Sequence, residues 1–409
     1  MSSQRKKILV HDDEPERSKG WARKITKLIG NDFEVTPLSN EAFAEALNTL
    51  DARRAAARKS SKARATTKAT LIDEAAVLII DYDLLKSSNK HFLTGEAFAY
   101  LSRCYSTCGV VVVVNQFGGD VFDLTLQGHP ESFADLNVGA KQLLAEGLWR
   151  DKWSGFRSWH WPVLPSYVEA LDRRVKMVMR RLDEPIIKVL GMEKVCASLS
   201  GPAVQFIQGN IGHDIERITF RQFVTTNANN GLRYKDEALG DNYTARIAAA
   251  RIGKWLERLV LVGQDVLVDA PHLVARFPSL LSGAPSKLES WNKLTTLGSD
   301  APAGMRSSVI EKFRFRHNEW ISRPAWFWSQ VAVCKDIPEV AQPFGAKRNM
   351  PDIVFCEDLS RFVPRTQARE FLGDLPSPFV KRYAANPKHG RFKSLNSFTY
   401  APEVRFALI

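Results

Sequence analysis

Three carboxylates set the chemistry this sequence can support. Asp12 and Asp13 stand just past the aliphatic run Ile8-Leu9-Val10, after His11, and Asp81 closes the run Val77-Leu78-Ile79-Ile80 and leads into Tyr82-Asp83. Consecutive aliphatic residues suit the centre of a parallel sheet, with the acid emerging at its carboxyl edge. Open parallel sheets bind ligands outside those edges, so the two strands predict one shared acidic pocket. Carboxylate oxygens are hard donors suited to a divalent cation, and such a cation lets crowded acids accept a phosphate they would otherwise repel. Asp12, Asp13 and Asp81 are the candidate ligands.

Two aliphatic strands ending in acids, in this order and spacing, resemble the receiver domain of bacterial response regulators, and the resemblance covers residues 1–147. It implies that Asp81 is the nucleophile and phosphoacceptor, that Asp13 and Asp81 touch magnesium directly, that Asp12 acts through water, and that the backbone carbonyl of Asp83 completes the set. After the fourth strand such domains carry a Thr or Ser that senses the phosphoryl group; here Asn115 follows Val114. After the fifth they carry a Lys, usually followed by Pro, that pairs with the phosphoryl oxygens; here the nearest is Lys141, followed by Gln142. A displaced charge weakens stabilisation of the phosphorylated state. The resemblance therefore supports two readings of a cytoplasmic protein. One is an atypical response regulator served by a histidine kinase or another protein partner. The other is a nucleic-acid-binding or scaffold protein with a degenerate pseudo-receiver domain kept for assembly.

Positioning these groups requires alternating strands and helices. Lys6–Val10, Phe33–Leu38, the run ending at Asp81, Val110–Val114 and Ser132–Val138 read as strands. Glu16–Ile29 (Trp21, Ile25 and Leu28 on one face), Glu41–Leu50, Glu96–Tyr105 and Ala140–Glu146 read as helices. The alternation predicts an α/β fold, a five-stranded doubly wound parallel sheet, followed by a larger α+β domain over residues 201–409.

The chain has 409 residues, too long for one ordinary core at ~150 residues per domain. With 44% hydrophobic residues and no apolar run long enough to span a bilayer, the composition excludes a helical membrane protein. The polar start Met1–Arg5, leading straight into a strand, predicts no signal peptide. A net charge of +12 favours an acidic partner, nucleic acid first. Its most concentrated source is the basic insertion 52–70, which holds Arg53, Arg54, Arg58, Lys59, Lys62, Arg64 and Lys68. This stretch reads either as a solvated insertion or as an arm that contacts phosphates.

Residues 148–200 form a junction. Trp149, Trp153, Trp159 and Trp161 are interrupted downstream by Pro162 and Pro165, and a long helix begins near Ser166 with Val168, Leu171, Val175, Val178 and Leu182 at helical spacing. The tryptophans are expected to be packed between domains, the alternative being a platform that stacks bases. The helix suits either a core or a homodimer contact. Farther on, a helix is expected over Ala245–Leu261 and a strand near Ile353–Phe355. Asp265, Asp269 and His272 could bind a metal for an enzyme in the C-terminal half, or mark the ends of the strand Val266-Leu267-Val268. Met350-Pro351-Asp352 through Cys356-Glu357-Asp358 faintly resembles the acidic core of some nucleases, without the lysine such a core requires after its second acid. Cys104 and Cys108, one helical turn apart, have no partner pair for zinc and read as buried thiols.

Overall fold

The computed structural model describes residues 5–59, 69–84, 93–115, 132–151, 162–209, 211–226, 240–281, 287–295, 302, 304–337, 352–357, 359–371 and 382–385. The chain forms two compact units. The first runs to Arg150 and adds Val163–Val189 and Gln205–Lys254; the second takes Leu190–Val204 and the chain from Trp255. These units interleave along the chain, whereas the expected division ran linearly with boundaries at residues 148 and 201. The sheet unit, rather than the C-terminal one, is the larger of the two.

The first unit is built on β1 (Lys6–His11), β2 (Phe33–Pro37), β3 (Ala75–Asp81), β4 (Val110–Asn115) and β5 (Leu136–Gly139), all parallel, in the order β2-β1-β3-β4-β5. Helix α1 (Pro15–Leu28) joins β1 to β2, α2 (Asn40–Lys59) lies between β2 and β3, and α3 (Gly95–Tyr105) lies between β3 and β4. Right-handed crossovers put helices on opposite faces where the direction of winding reverses. The chain steps outward from β1 to β2, then back across β1 to β3, so α1 covers one face and α2 and α3 the other. With both faces covered, β3 and β4 carry aliphatic runs instead of alternation, and Val77–Ile80 and Val110–Val114 are at most 1% exposed.

Several boundaries moved for identifiable reasons. β5 begins at Leu136 and not Ser132, because the Asp135 side chain takes the Val111 N–H at 2.7 Å and pairs with Arg103. Helix α4 (Ala140–Leu143) stops short of Glu146, and α5 (Glu146–Trp149) restarts the chain. The indole of Trp149 then donates to the freed Leu143 carbonyl at 2.7 Å, and the ring is buried within the first unit. Trp153, Trp159 and Trp161 lie outside the described residues. Helix α6 (Leu164–Met179) starts two residues before Ser166 because Pro165 is tolerated in a first turn.

Helix α2 continues past Leu50 to Lys59 along a buried stripe of Phe43, Ala46, Leu50 and Arg53. Arg53 ends that stripe, pairing its fork with both oxygens of Asp73 at 2.9 and 2.8 Å and donating to Tyr105 O at 2.7 Å. The helix Asp241–Trp255 begins earlier than Ala245, and its described residues up to Lys254 belong to the sheet unit. Lys254 Nζ donates to Ser132 O at 3.0 Å and Ala134 O at 2.6 Å, and Arg251 stacks on Phe133 with its carbon 4.5 Å from the ring centre. These contacts tie the helix to the segment that leads into β5.

The second unit opens on a π-helical turn, Leu256–Val260. It contains an antiparallel pair, β6 (Leu267–Asp269) with β7 (Ala325–Phe327), and a mixed sheet of β8 (Ile353–Cys356), β9 (Arg361–Pro364), β10 (Ala368–Phe371) and β11 (Arg382–Ala385) in the order β10-β11-β8-β9. Its core gathers Trp291, Trp326, Phe355 and Phe362 with aliphatic side chains of the helix Ala270–Arg276. Among the described residues, no helix is long and apolar enough to cross a membrane.

Candidate functional site

The register of the sheet brings the acids together. Val10 pairs with Ile79 and His11 with Ile80, so the chain leaving β1 passes beside the end of β3. One carboxylate oxygen from each of Asp12, Asp13 and Asp81 lies within 4.8 Å of the others. Asp81 is 1% exposed, and neither of its oxygens accepts a hydrogen bond. Buried polar atoms almost always have hydrogen-bond partners, so a buried carboxylate with none, set beside two other acids, is suited to holding a cation. Burial, then the charge of Asp12, pushes Asp81 up to about 7, with Arg17 acting the other way. Burial raises Asp12 as well, opposed by the Glu14 N–H, which donates to it at 2.8 Å, and by Arg17.

Arg17 is the functional residue that sequence reasoning missed. Its Nη1 lies 3.2 Å from Asp12 Oδ2 and 3.9 Å from Asp81 Oδ2, and its Nη2 lies 2.6 Å from Glu14 Oε2. The available signal was its position in the first turn of a helix that starts directly after the acid pair. His11 points away from ligand chemistry: it stacks on Phe43 at 3.8 Å, and burial holds it down at about 4, a neutral core imidazole.

Asp83 is exposed and bridges to Thr94, two residues past Asp81. Asn115 follows Val114, the β4 partner of Asp81, and is 8% exposed. Lys141 is exposed on α4, two residues beyond β5. Gly95 lets α3 start against the end of β3, since a Cβ there would lie 2.6 Å from the Asp81 carbonyl oxygen. Gly95→Ala is therefore expected to cost about 1–3 kcal/mol by overpacking. Gly20→Ala, with open space around the added carbon, is the control and should be neutral or stabilising. Urea denaturation of both variants measures the difference; equal midpoints would remove the steric argument.

The basic insertion does not behave as one exposed arm. Arg53 is buried against Asp73, which corrects its assignment as a phosphate contact. Arg54 is half-buried, 3.8 Å from Asp51, and lies over the Tyr100 ring. Arg58 and Lys59 end α2, and Lys62, Arg64 and Lys68 lie outside the described residues.

In the second unit, Asp269 and His272 meet, while the Asp265 side chain accepts the Val266 N–H at 2.8 Å and reaches the cluster only through the charge of Arg382. Asp269 Oδ1 accepts the His272 Nδ1–H at 2.7 Å, while Glu357 Oε1 lies 3.5 Å from Nε2. Arg382 grips Glu357 at 2.5 and 2.7 Å, and Arg323 links Asp269 to Glu257, which the π-helical turn carries, at 3.2 Å each. Three acids thus face three cations, so the network balances its own charge with both imidazole nitrogens engaged. This is an internal brace and not an open metal site. Asp352 pairs with Arg365 at 2.6 Å, apart from the partners of Glu357, and Asp358 lies outside the described residues. Cys104 and Cys108 are buried, and burial pushes the Cys108 thiol up to about 12, which argues against a thiolate ligand.

No protein-family model, no curated protein and no solved structure matches this chain. Functional reasoning therefore rests on the geometry.

Proposed function

We propose that the first unit is a receiver-type signalling module in which Asp81 accepts a phosphoryl group. The carrying observation is the acid trio, with Asp81 buried and neither of its oxygens accepting a hydrogen bond. The sheet order β2-β1-β3-β4-β5 supports the reading, because it is the flavodoxin-like order and puts the acids at the carboxyl edge where such sheets bind ligands. Asp12, Asp13 and Asp81, with the carbonyl of Asp83, would hold magnesium. Bound there, it would neutralise the carboxylates and the oxygens of the incoming group. The chain's own contribution is to exclude water from Asp81 and to aim it from the end of a rigid strand. The Asn115 amide stands where a hydroxyl would sense the phosphoryl group. The natural donor is a phosphohistidine of a cytoplasmic kinase.

A second reading, a pseudo-receiver used for docking, is favoured by one observation: Arg17 already supplies a positive charge inside the trio. Incubation with acetyl phosphate and magnesium separates the two. An adduct of one phosphoryl group in the intact mass, absent in Asp81→Asn, supports the acceptor; no adduct under conditions that label an ordinary receiver supports the docking module.

A further inference from the structure

The charge balance of the pocket leaves a role that Lys141 does not fill. Ionised Asp12, Asp13 and Asp81 carry three negative charges, and a divalent cation offsets two. Arg17 is the cation beside the third, with Nη1 3.2 Å from Asp12 and 3.9 Å from Asp81 while its Nη2 pairs with the half-exposed Glu14 at 2.6 Å. It is held in place by α1: Ser18 Oγ donates to Val10 O at 2.9 Å, fastening the first turn to the end of β1, while Trp21 and Ile25 bury the same helix in the core. A guanidinium keeps its charge at any accessible pH and presents a planar fork of donors matched to phosphate oxygens. Lys141, by contrast, is exposed on α4.

We propose that Arg17 is the catalytic cation that receives the phosphoryl oxygens at Asp81. The proposal rests on the acceptor reading above. An Asp81 oxygen attacks the phosphorus of an acyl phosphate. The new O–P bond forms as the donor's P–O bond breaks, and the electron pair leaves with the donor carboxylate. No proton moves and the total charge is unchanged. Negative charge on the Asp81 side chain rises from one to two, and the neighbouring guanidinium accepts the difference.

The test uses the full chain as wild type, Arg17→Ala, Arg17→Lys, Lys141→Ala and Lys19→Ala, Lys19 being an exposed lysine of the same helix paired with Glu16. Two quantities are read: the rate of labelling by acetyl phosphate, from intact mass, and magnesium affinity by calorimetry without donor. Arg17→Ala is expected to label about 100-fold more slowly. It should also bind magnesium about tenfold more tightly, because a competing charge has left the trio. Arg17→Lys should recover part of the rate, and Lys19→Ala should match wild type. A merely structural role would lower both readouts together, and that result overturns the proposal. So does normal labelling of Arg17→Ala, or loss of labelling in Lys141→Ala alone. If wild type binds magnesium and is never labelled, the acceptor reading itself fails and the role of Arg17 fails with it.

Discussion

Asp81→Asn is expected to abolish phosphoryl acceptance and, at the same time, to make the metal-free protein more stable. The gain comes from removing a charge that the fold holds at a cost. Burial holds Asp81 at about 7 against its usual 3.8, a cost on the order of 2–4 kcal/mol at neutral pH. The sign follows from proton binding: the folded state holds the Asp81 proton more tightly than the unfolded chain does. The penalty is therefore absent below 3.8 and complete above about 7. The advantage of Asp81→Asn should shrink as pH falls from 7 toward 4. Urea denaturation with chelator at several pH values measures it. A variant less stable than wild type at pH 7 would show that the trio is satisfied without added charge.

Glu357→Gln should produce a change of comparable size and opposite sign, a loss of stability in the second unit. It leaves Arg382, 5% exposed, and protonated His272 facing a neutral amide inside the protein. Breaking a buried pair by removing one partner typically costs 3–5 kcal/mol. Asp352→Asn, which disrupts the exposed pair with Arg365, should cost less than about 1 kcal/mol and serves as comparison. The network also predicts a pH window. Burial works against the Glu357 charge, but Arg382 and His272 prevail and hold it down at about 2, so its contribution is present above 4.5 and is lost as pH falls toward 2. Burial likewise opposes a charged His272, and Asp269 and Glu357 raise it above 6.5. Its contribution is complete below 6.5 and disappears as pH rises through the raised value. The brace should be strongest between about 4.5 and 6.5. Equal denaturation midpoints for Glu357→Gln and Asp352→Asn would mean that the brace carries no special stability.

What the sequence by itself determined was local in origin. Aliphatic runs at 8–10, 77–80 and 110–114 specify buried strands, because a residue covered on both faces has no polar alternative. An acid at the end of such a run must emerge at the sheet edge, so Asp12, Asp13 and Asp81 could be placed in one pocket before any contact was known. The stripe Phe43, Ala46, Leu50 and Arg53 was written in the chain too, at spacings that put Arg53 on the buried face. Its charge suggested an exposed role instead, and only the approach of Asp73 and the Tyr105 carbonyl made an inward arginine stable.

The tertiary structure alone decided which distant groups meet. Nothing near Lys254 announces that it will donate to the carbonyls of Ser132 and Ala134, so the helix Asp241–Trp255 could not be assigned to the sheet unit from its own periodicity. His272 and Glu357 carry no shared motif, yet folding sets them 3.5 Å apart and turns an apparent metal set into a self-neutralised brace. Arg17 reads in sequence as one more basic residue on a polar helix face. It meets Asp12 and Asp81 only because α1 leaves β1 beside the end of β3. Periodicity is a property of neighbours along the chain, whereas the partner of a buried charge is chosen by packing, and packing brings together residues that share no local pattern.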